Sequence, residues 1–286
     1  MENHEMLDTC TLTLLLAMKR TVTNRVSVEE LVIRSSFLNR EVKITVILPP
    51  DYSTKPYPVL WLNDGQDLMP MHMPSILDHA FAAQTIPPIV VVGVHANEDR
   101  LQEYGSTAHA DFKQRGTKAG IYAEFVVLEL LPHIRKTYSV SRDKRKNVLA
   151  GWSMGGLSAL DIVWNHSDTF NKVGVFSGSL WWRLKAYNRG YKDDKHRIVH
   201  QMIRNGHKRD GLKFWFEAGT EDEKADRNKN GLIDSIDDTI DLINELKHKG
   251  YSEHSDIQFV LVKEGQHDLQ TWADIMPFFL QWAFGK

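Results

Sequence analysis

Apolar residues along the chain follow two kinds of pattern. In residues 42–48, Val42, Ile44, Val46 and Leu48 alternate with other positions, as on a strand with one face exposed, and residues 28–37 read as a companion strand. Pro49 and Pro50 stop the second of these. Further on the runs become continuous. Tyr57-Pro58-Val59-Leu60-Trp61-Leu62 leads into Asn63-Asp64-Gly65, and Pro88-Ile89-Val90-Val91-Val92-Gly93-Val94 is largely β-branched. Runs apolar on both faces predict central parallel strands. Shorter strands are predicted over 146–150, 172–177, 212–218 and 257–262. Helical periods fall at 122–138, where Pro132 should introduce a kink, and at 157–164 and 239–248. A last helix is predicted over 272–284, with Pro277 bending it or marking its restart. This alternation predicts an α/β domain: a mostly parallel sheet with antiparallel N-terminal strands and helices on both faces. Residues 1–20 read as an N-terminal arm or short helix and 21–286 as a single domain. The stretches 66–86, 95–120 and 181–210 read as loops without a decipherable pattern.

Composition narrows the function. Lys plus Arg is 35 against 37 for Asp plus Glu, a formal charge of −2, which provides no electrostatic footprint for nucleic acid or an anionic membrane. The single Cys10 forms no internal disulfide and no cysteine-based zinc site. The start, Met1-Glu2-Asn3-His4-Glu5-Met6, lacks a basic signal region, so a cytoplasmic location is expected. Oligomeric state is not legible.

The chemistry concentrates at Gly151-Trp152-Ser153-Met154-Gly155, a Gly-x-Ser-x-Gly turn between a predicted strand and a predicted helix. Such a turn holds the serine in a strained conformation, and side chains two residues before and after would collide with backbone. It lifts the Ser153 hydroxyl above the sheet edge and aims the Met154 N–H at the space where an oxyanion develops. A serine nucleophile needs a base and an acid, in the order Ser, acid, His. Among 13 histidines, His267 is selected by position, directly after the last strand and before the last helix. Asp222 is chosen as the acid, at the end of the strand 212–218, with Glu221, Glu223 and Asp226 close enough to remain alternatives. The acid would hold the histidine tautomer and stabilise its imidazolium.

With these motifs in place, the chain resembles the putative esterase family of α/β-hydrolases, which includes enterochelin-type, feruloyl and acetyl-xylan esterases. The resemblance rests on Leu48-Pro49-Pro50-Asp51-Tyr52, on the stretch from Tyr57 to Gln66, on the Ser153 turn with Gly156, on Gly219-Thr220-Glu221-Asp222, and on His267-Asp268 with Trp272. Phe176-Ser177-Gly178-Ser179-Leu180-Trp181-Trp182 is most similar to the enterochelin-type branch. The resemblance implies the α/β-hydrolase fold and Ser153, Asp222 and His267 as catalytic triad. It also implies a second oxyanion N–H near Gln66. The expected activity is hydrolysis of a small-molecule ester through an acyl-enzyme, with siderophore, aryl and sugar esters as candidates and no cofactor required. An acyltransferase on the same scaffold and a non-catalytic binding protein remain the other readings.

Two further features stand apart. Trp181 and Trp182, at a strand end, would wall an aromatic or acyl pocket. Residues 226–237 match an EF-hand-like calcium loop, with Asp226, Asn228, Asn230, Leu232 (through its carbonyl), Asp234 and Asp237 as ligands and Gly231 at the sharp turn. A calcium ion there would be structural. The competing reading is an acidic loop whose Ser235 and Asp238 cap the next helix.

Overall fold

The computed structural model describes residues 25–285. The expected arm or short helix over residues 1–20 lies outside them. The chain runs through β1 (Ser27–Ser35), β2 (Arg40–Leu48), β3 (Val59–Asn63), α1 (Met73–Ala82), β4 (Val90–Val94), α2 (Arg100–Glu103), α3 (Ala119–Glu124), α4 (Leu131–Thr137), β5 (Asn147–Trp152), α5 (Met154–Asn165), β6 (Lys172–Phe176), α6 (Asp193–His196), α7 (Ile198–Asn205), β7 (Lys213–Glu221), α8 (Asp234–His248), β8 (Ile257–Gln266) and α9 (Leu269–Phe284). The eight strands form one sheet in the order β1-β2-β4-β3-β5-β6-β7-β8. β1 and β2 pair antiparallel, as does β2 with β4, and every pairing from β4 to β8 is parallel. This is the α/β-hydrolase fold.

The continuous apolar runs become the middle of the sheet. β3, β4 and β5 are buried along their whole length, because helices cover both faces. One face packs α1 and α9 through Leu77, Met276, Phe279 and Leu280. The other packs α3, α4, α5, α7 and α8 through Tyr122, Ile134, Leu160, Ile203 and Leu242.

Three sequence expectations change. The helix predicted over 122–138 is divided: α3 and α4 flank a π-helical stretch, Phe125–Leu130, and Pro132 enters in the first turn of α4. The wider turn absorbs the missing proline N–H, so the irregularity precedes the proline. α9 passes through Pro277 without a restart, held by its buried face. Finally, all three presumed loops contain helices: α2 is a single turn and α6 another, while α1 and α7 are longer, and their buried residues Met73, Leu77 and Ala80, and Ile198, Val199 and Ile203, recur on one side.

Candidate active site

The parallel strands bring their carboxyl ends to one edge, and each candidate residue follows such an end. Ser153 follows β5, whose last residue Trp152 pairs with Phe176 of β6; the Ser153 N–H donates to the Phe176 carbonyl at 2.9 Å. Ser177 follows β6, and its N–H donates to the Glu217 carbonyl of β7 at 2.9 Å. Asp222 follows β7, and His267 follows β8.

Ser153 adopts φ 54° and ψ −125° between β5 and α5, the strained geometry of a nucleophile turn. The glycines are sterically required. A Cβ on Gly151 would lie 2.6 Å from the Gly155 carbonyl carbon, and one on Gly155 would lie 2.7 Å from Asp64 Oδ2. Asp64 is itself buried, in αL conformation, and is clamped by Arg100 through Nε–Oδ1 at 2.7 Å and Nη2–Oδ2 at 2.8 Å. Neighbouring Asn63 Nδ2 donates to the Gly155 carbonyl at 2.8 Å. The turn after β3 thus braces the start of α5. Met154 opens that helix, where backbone N–H groups have no intrahelical acceptor. Gln66 lies in the short 3₁₀ turn Gly65–Asp67 opposite, and its side chain donates to Asp64 Oδ1 at 3.1 Å and accepts from the Ala96 N–H at 3.0 Å.

Asp222 and His267 line one cavity of about 290 Å³, together with Ser177, Gly178, Trp181 and Glu223. Asp222 Oδ1 accepts from Ser177 Oγ at 3.0 Å, while Oδ2 is buried with no hydrogen-bond partner. Burial raises the Asp222 carboxyl above the usual range, opposed by the Ser177 hydrogen bond and His267. Burial lowers the His267 imidazole below its ordinary value, with Arg100 adding to the effect and Asp222 opposing it. The imidazole stands edge-on to Trp272 at 5.2 Å between ring centroids. Ser153 Oγ lies 3.5 Å from Ser179 Oγ; among the described residues no hydrogen bond joins it to His267. Of the alternative acids, Glu221 is exposed at the end of β7, Glu223 lines the cavity, and Asp226 accepts N–H bonds within its own loop.

The two tryptophans part company. Trp181 lines this cavity and a second of about 240 Å³ that also contains Phe112, Arg183 and Tyr187. Trp182 does not line either. It is fully buried against Gly105 and Gly116 and donates its indole N–H to the His109 carbonyl at 3.2 Å. Its size made it core, and Trp182 as a substrate-binding residue is corrected on that ground. Arg183 stacks on Tyr187 at 3.6 Å and on Phe112 at 4.7 Å.

The 226–237 loop assembles in part. The Gly231 N–H donates to Asp226 Oδ2 at 3.0 Å, and Asn228 and Asn230 donate through Nδ2 to Asp237 at 2.7 and 2.9 Å. Asp234 is directed elsewhere: its Oδ1 accepts from the Arg227 N–H at 2.8 Å and pairs with the guanidinium at 3.2 Å. Among the described residues no group of three or more His, Cys, Asp or Glu is placed to hold a metal ion. Asp234 and Asp237 stand in the first turn of α8, which begins five residues before the predicted start. They suit its positive end.

Sequence reasoning passed over Ser177, Glu217 and Arg100. A glutamate within the apolar strand 212–218 was the available signal for Glu217. Arg100 stands in a stretch with no pattern, and only the fold shows its partner.

Against known proteins, the Putative esterase family model matches residues 35–280. The Bacillus subtilis (strain 168) protein YbbA is 26% identical over 250 residues, covering 85% of this chain and 93% of its own. The iron(III) enterobactin esterase of Escherichia coli K12 is 26% identical over 207 residues, 71% of this chain; the match spans about half, 48%, of that enzyme. Among solved structures, a ferulic acid esterase superposes with a TM-score of 0.69 at 20% identity, over 91% of this chain and 98% of that one. Among the described residues no helix is long and apolar enough to cross a membrane.

Proposed function

Because the chain belongs to the Putative esterase family and is similar to an iron(III) enterobactin esterase and a ferulic acid esterase, we propose that it cleaves small-molecule esters with a Ser153–His267–Asp222 triad through an acyl-enzyme. The observation that supports the reading is the cavity shared by Asp222, His267 and Ser177, the last directly after Phe176, whose carbonyl accepts the N–H of the strained Ser153. Ser153 Oγ attacks the ester carbonyl as His267 takes its proton. The tetrahedral oxyanion is met by N–H groups of Met154 and Gln66. His267 returns the proton to the leaving alcohol, and Asp222 stabilises the imidazolium between these steps. Water, activated by the same imidazole, then releases the acid. The lowered basicity of His267 keeps it neutral, hence able to accept a proton, at and somewhat below neutral pH.

The acyl or alcohol portion that suits the second cavity is planar and aromatic, since Trp181, Phe112 and Tyr187 supply its apolar walls. Aryl and catechol-bearing esters therefore head the substrate list, ahead of sugar esters. Labelling with a fluorophosphonate probe tests the nucleophile: wild type should label and Ser153→Ala should not. Equal labelling of both would remove Ser153 from the mechanism. Calcium at the 226–237 loop enters only as a structural ion. It would require Asn228 and Asn230 to turn their amide oxygens inward. A melting temperature unmoved by calcium after chelation would dismiss it.

A further inference from the structure

Ser177 Oγ is a meeting point of three polar groups. Trp272 Nε1–H donates to it at 2.9 Å, Asp222 Oδ1 lies 3.0 Å away, and Glu217 Oε2 lies 3.4 Å away. A hydroxyl has one proton and an indole nitrogen only donates. If Ser177 gives its proton to Asp222, the contact with Glu217 needs a proton from Glu217. The surroundings of Glu217 agree. The residue is 1% exposed and its Oε1 has no hydrogen-bond partner. Oε2 is reached by the Ser177 N–H at 3.2 Å, but that N–H already serves the Glu217 carbonyl at 2.9 Å. One shared donor is too little to offset the desolvation of a buried anion.

We propose that Glu217 is a neutral, protonated acid whose proton, passed on as a hydrogen bond through Ser177 Oγ, holds the Asp222 carboxylate in position for His267. Glu217 is thus a positioning residue, and its role rests on the reading of Asp222 as the triad acid. Burial, reinforced by the charge of Asp222, pushes its carboxyl up to about 8. The charged groups around it form a short series. Asp222 acts on Glu217, Asp268 and His267 act on Asp222, and Arg100 acts on His267. When Glu217 ionises, the bridge loses its donor and two carboxylates face one hydroxyl. Turnover should then fall on the alkaline side.

Two measurements test this. First, the protein carrying glutamate labelled with ¹³C at the side-chain carboxyl is titrated by NMR. One carboxyl resonance should titrate near 8 and vanish in Glu217→Gln; finding every glutamate titrating in the ordinary range would overturn the proposal. Second, kcat and KM for a chromogenic aryl ester are followed against pH. Glu217→Ala should lose about ten- to a hundredfold in kcat with KM little changed, the worth of a hydrogen bond to a charged group. Glu217→Gln, neutral and still a donor, should recover most of that loss and lack the alkaline decline. A wild-type alkaline limb in Glu217→Gln would sink the idea. Should Asp222→Asn turn over normally while the high glutamate titration persists, the triad reading fails and the protonation of Glu217 does not.

Discussion

The two sides of the candidate site are held by different kinds of structure. On the Ser153 side the constraint is steric: the Gly151 backbone lies against the Gly155 backbone, the Asp64 carboxylate lies against Gly155, and the Asn63 amide ties down the Gly155 carbonyl. On the His267 side the constraint is polar and assembled from afar. Ser177, Glu217, Asp222 and Trp272 come from the turn after β6, from β7, from the loop after it and from α9, and meet at the Ser177 hydroxyl. A steric constraint fails abruptly and takes the fold with it. A hydrogen-bond network is retuned by single atoms while the fold survives.

That contrast can be broken experimentally. The largest effect should come from Ser153→Ala, with turnover down by about 10⁶-fold and melting nearly unchanged, since the proposed triad would lose its attacking atom alone. Asp222→Asn should follow, at about 10⁴-fold in kcat, as the neutral amide favours the wrong histidine tautomer; circular dichroism should show an intact fold. Stability rather than rate should respond to Asp238→Ala. Asp238 is buried between Arg197 at 2.6 Å and Arg227 at 2.5 Å. Its removal leaves two guanidinium groups underpaired, for about 3–5 kcal/mol in chemical denaturation. Gly155→Ala should cost about 1–3 kcal/mol through overpacking against Asp64 and Asn63, and here turnover and stability should fall together. If instead Gly155→Ala melts normally, the Ser153 side is softer than its contacts indicate.

The smallest effects concern pH. The imidazole of His267 is lowered from 6.5, so the acid limb of kcat/KM should have its midpoint below that value. Glu217 acts on stability with the opposite sense. Its folded value, about 8, lies above its ordinary 4.5. Between the two the folded state binds more protons than the unfolded. Stability is therefore complete below about 4.5 and declines as pH rises through about 8. The difference in unfolding free energy between Glu217→Gln and wild type should grow in favour of the variant over that interval.

How much was legible in advance follows the same division. The central strands, the Ser153 turn and the need for Gly151 and Gly155 were readable, because a strained backbone admits few residue types and an interior strand few polar ones. His267 lines the same cavity as Asp222, and only its place after the last strand pointed to it in advance. Asp222 could be narrowed to a short acidic run but not separated from Glu223, since both enter the cavity. Ser177 has no local signature, and Glu217 only that of a carboxyl inside an apolar strand: both acquire meaning from neighbours 45 and 40 residues away in the chain. The two tryptophans illustrate the limit from the other direction. Adjacent in sequence, Trp181 and Trp182 diverge into a cavity wall and a core side chain, a choice set by which face of the chain meets Gly105 and Gly116.

The irregular pairing of β7 with β8 governs what this corner tolerates. The register shifts between Gly219 and Glu221, and a Cβ on Gly219 would lie 2.2 Å from the Gly265 carbonyl oxygen and 2.8 Å from Asp222 Oδ1. The two backbones are in direct contact just before each delivers its side chain. An inserted residue in 219–222 or 265–267 would therefore unseat acid and imidazole from one another. Beyond Glu223, where the chain has left the sheet, no strand contact limits added length, and the ion pairs of Arg227 with Asp234 and Asp238 hold the loop instead.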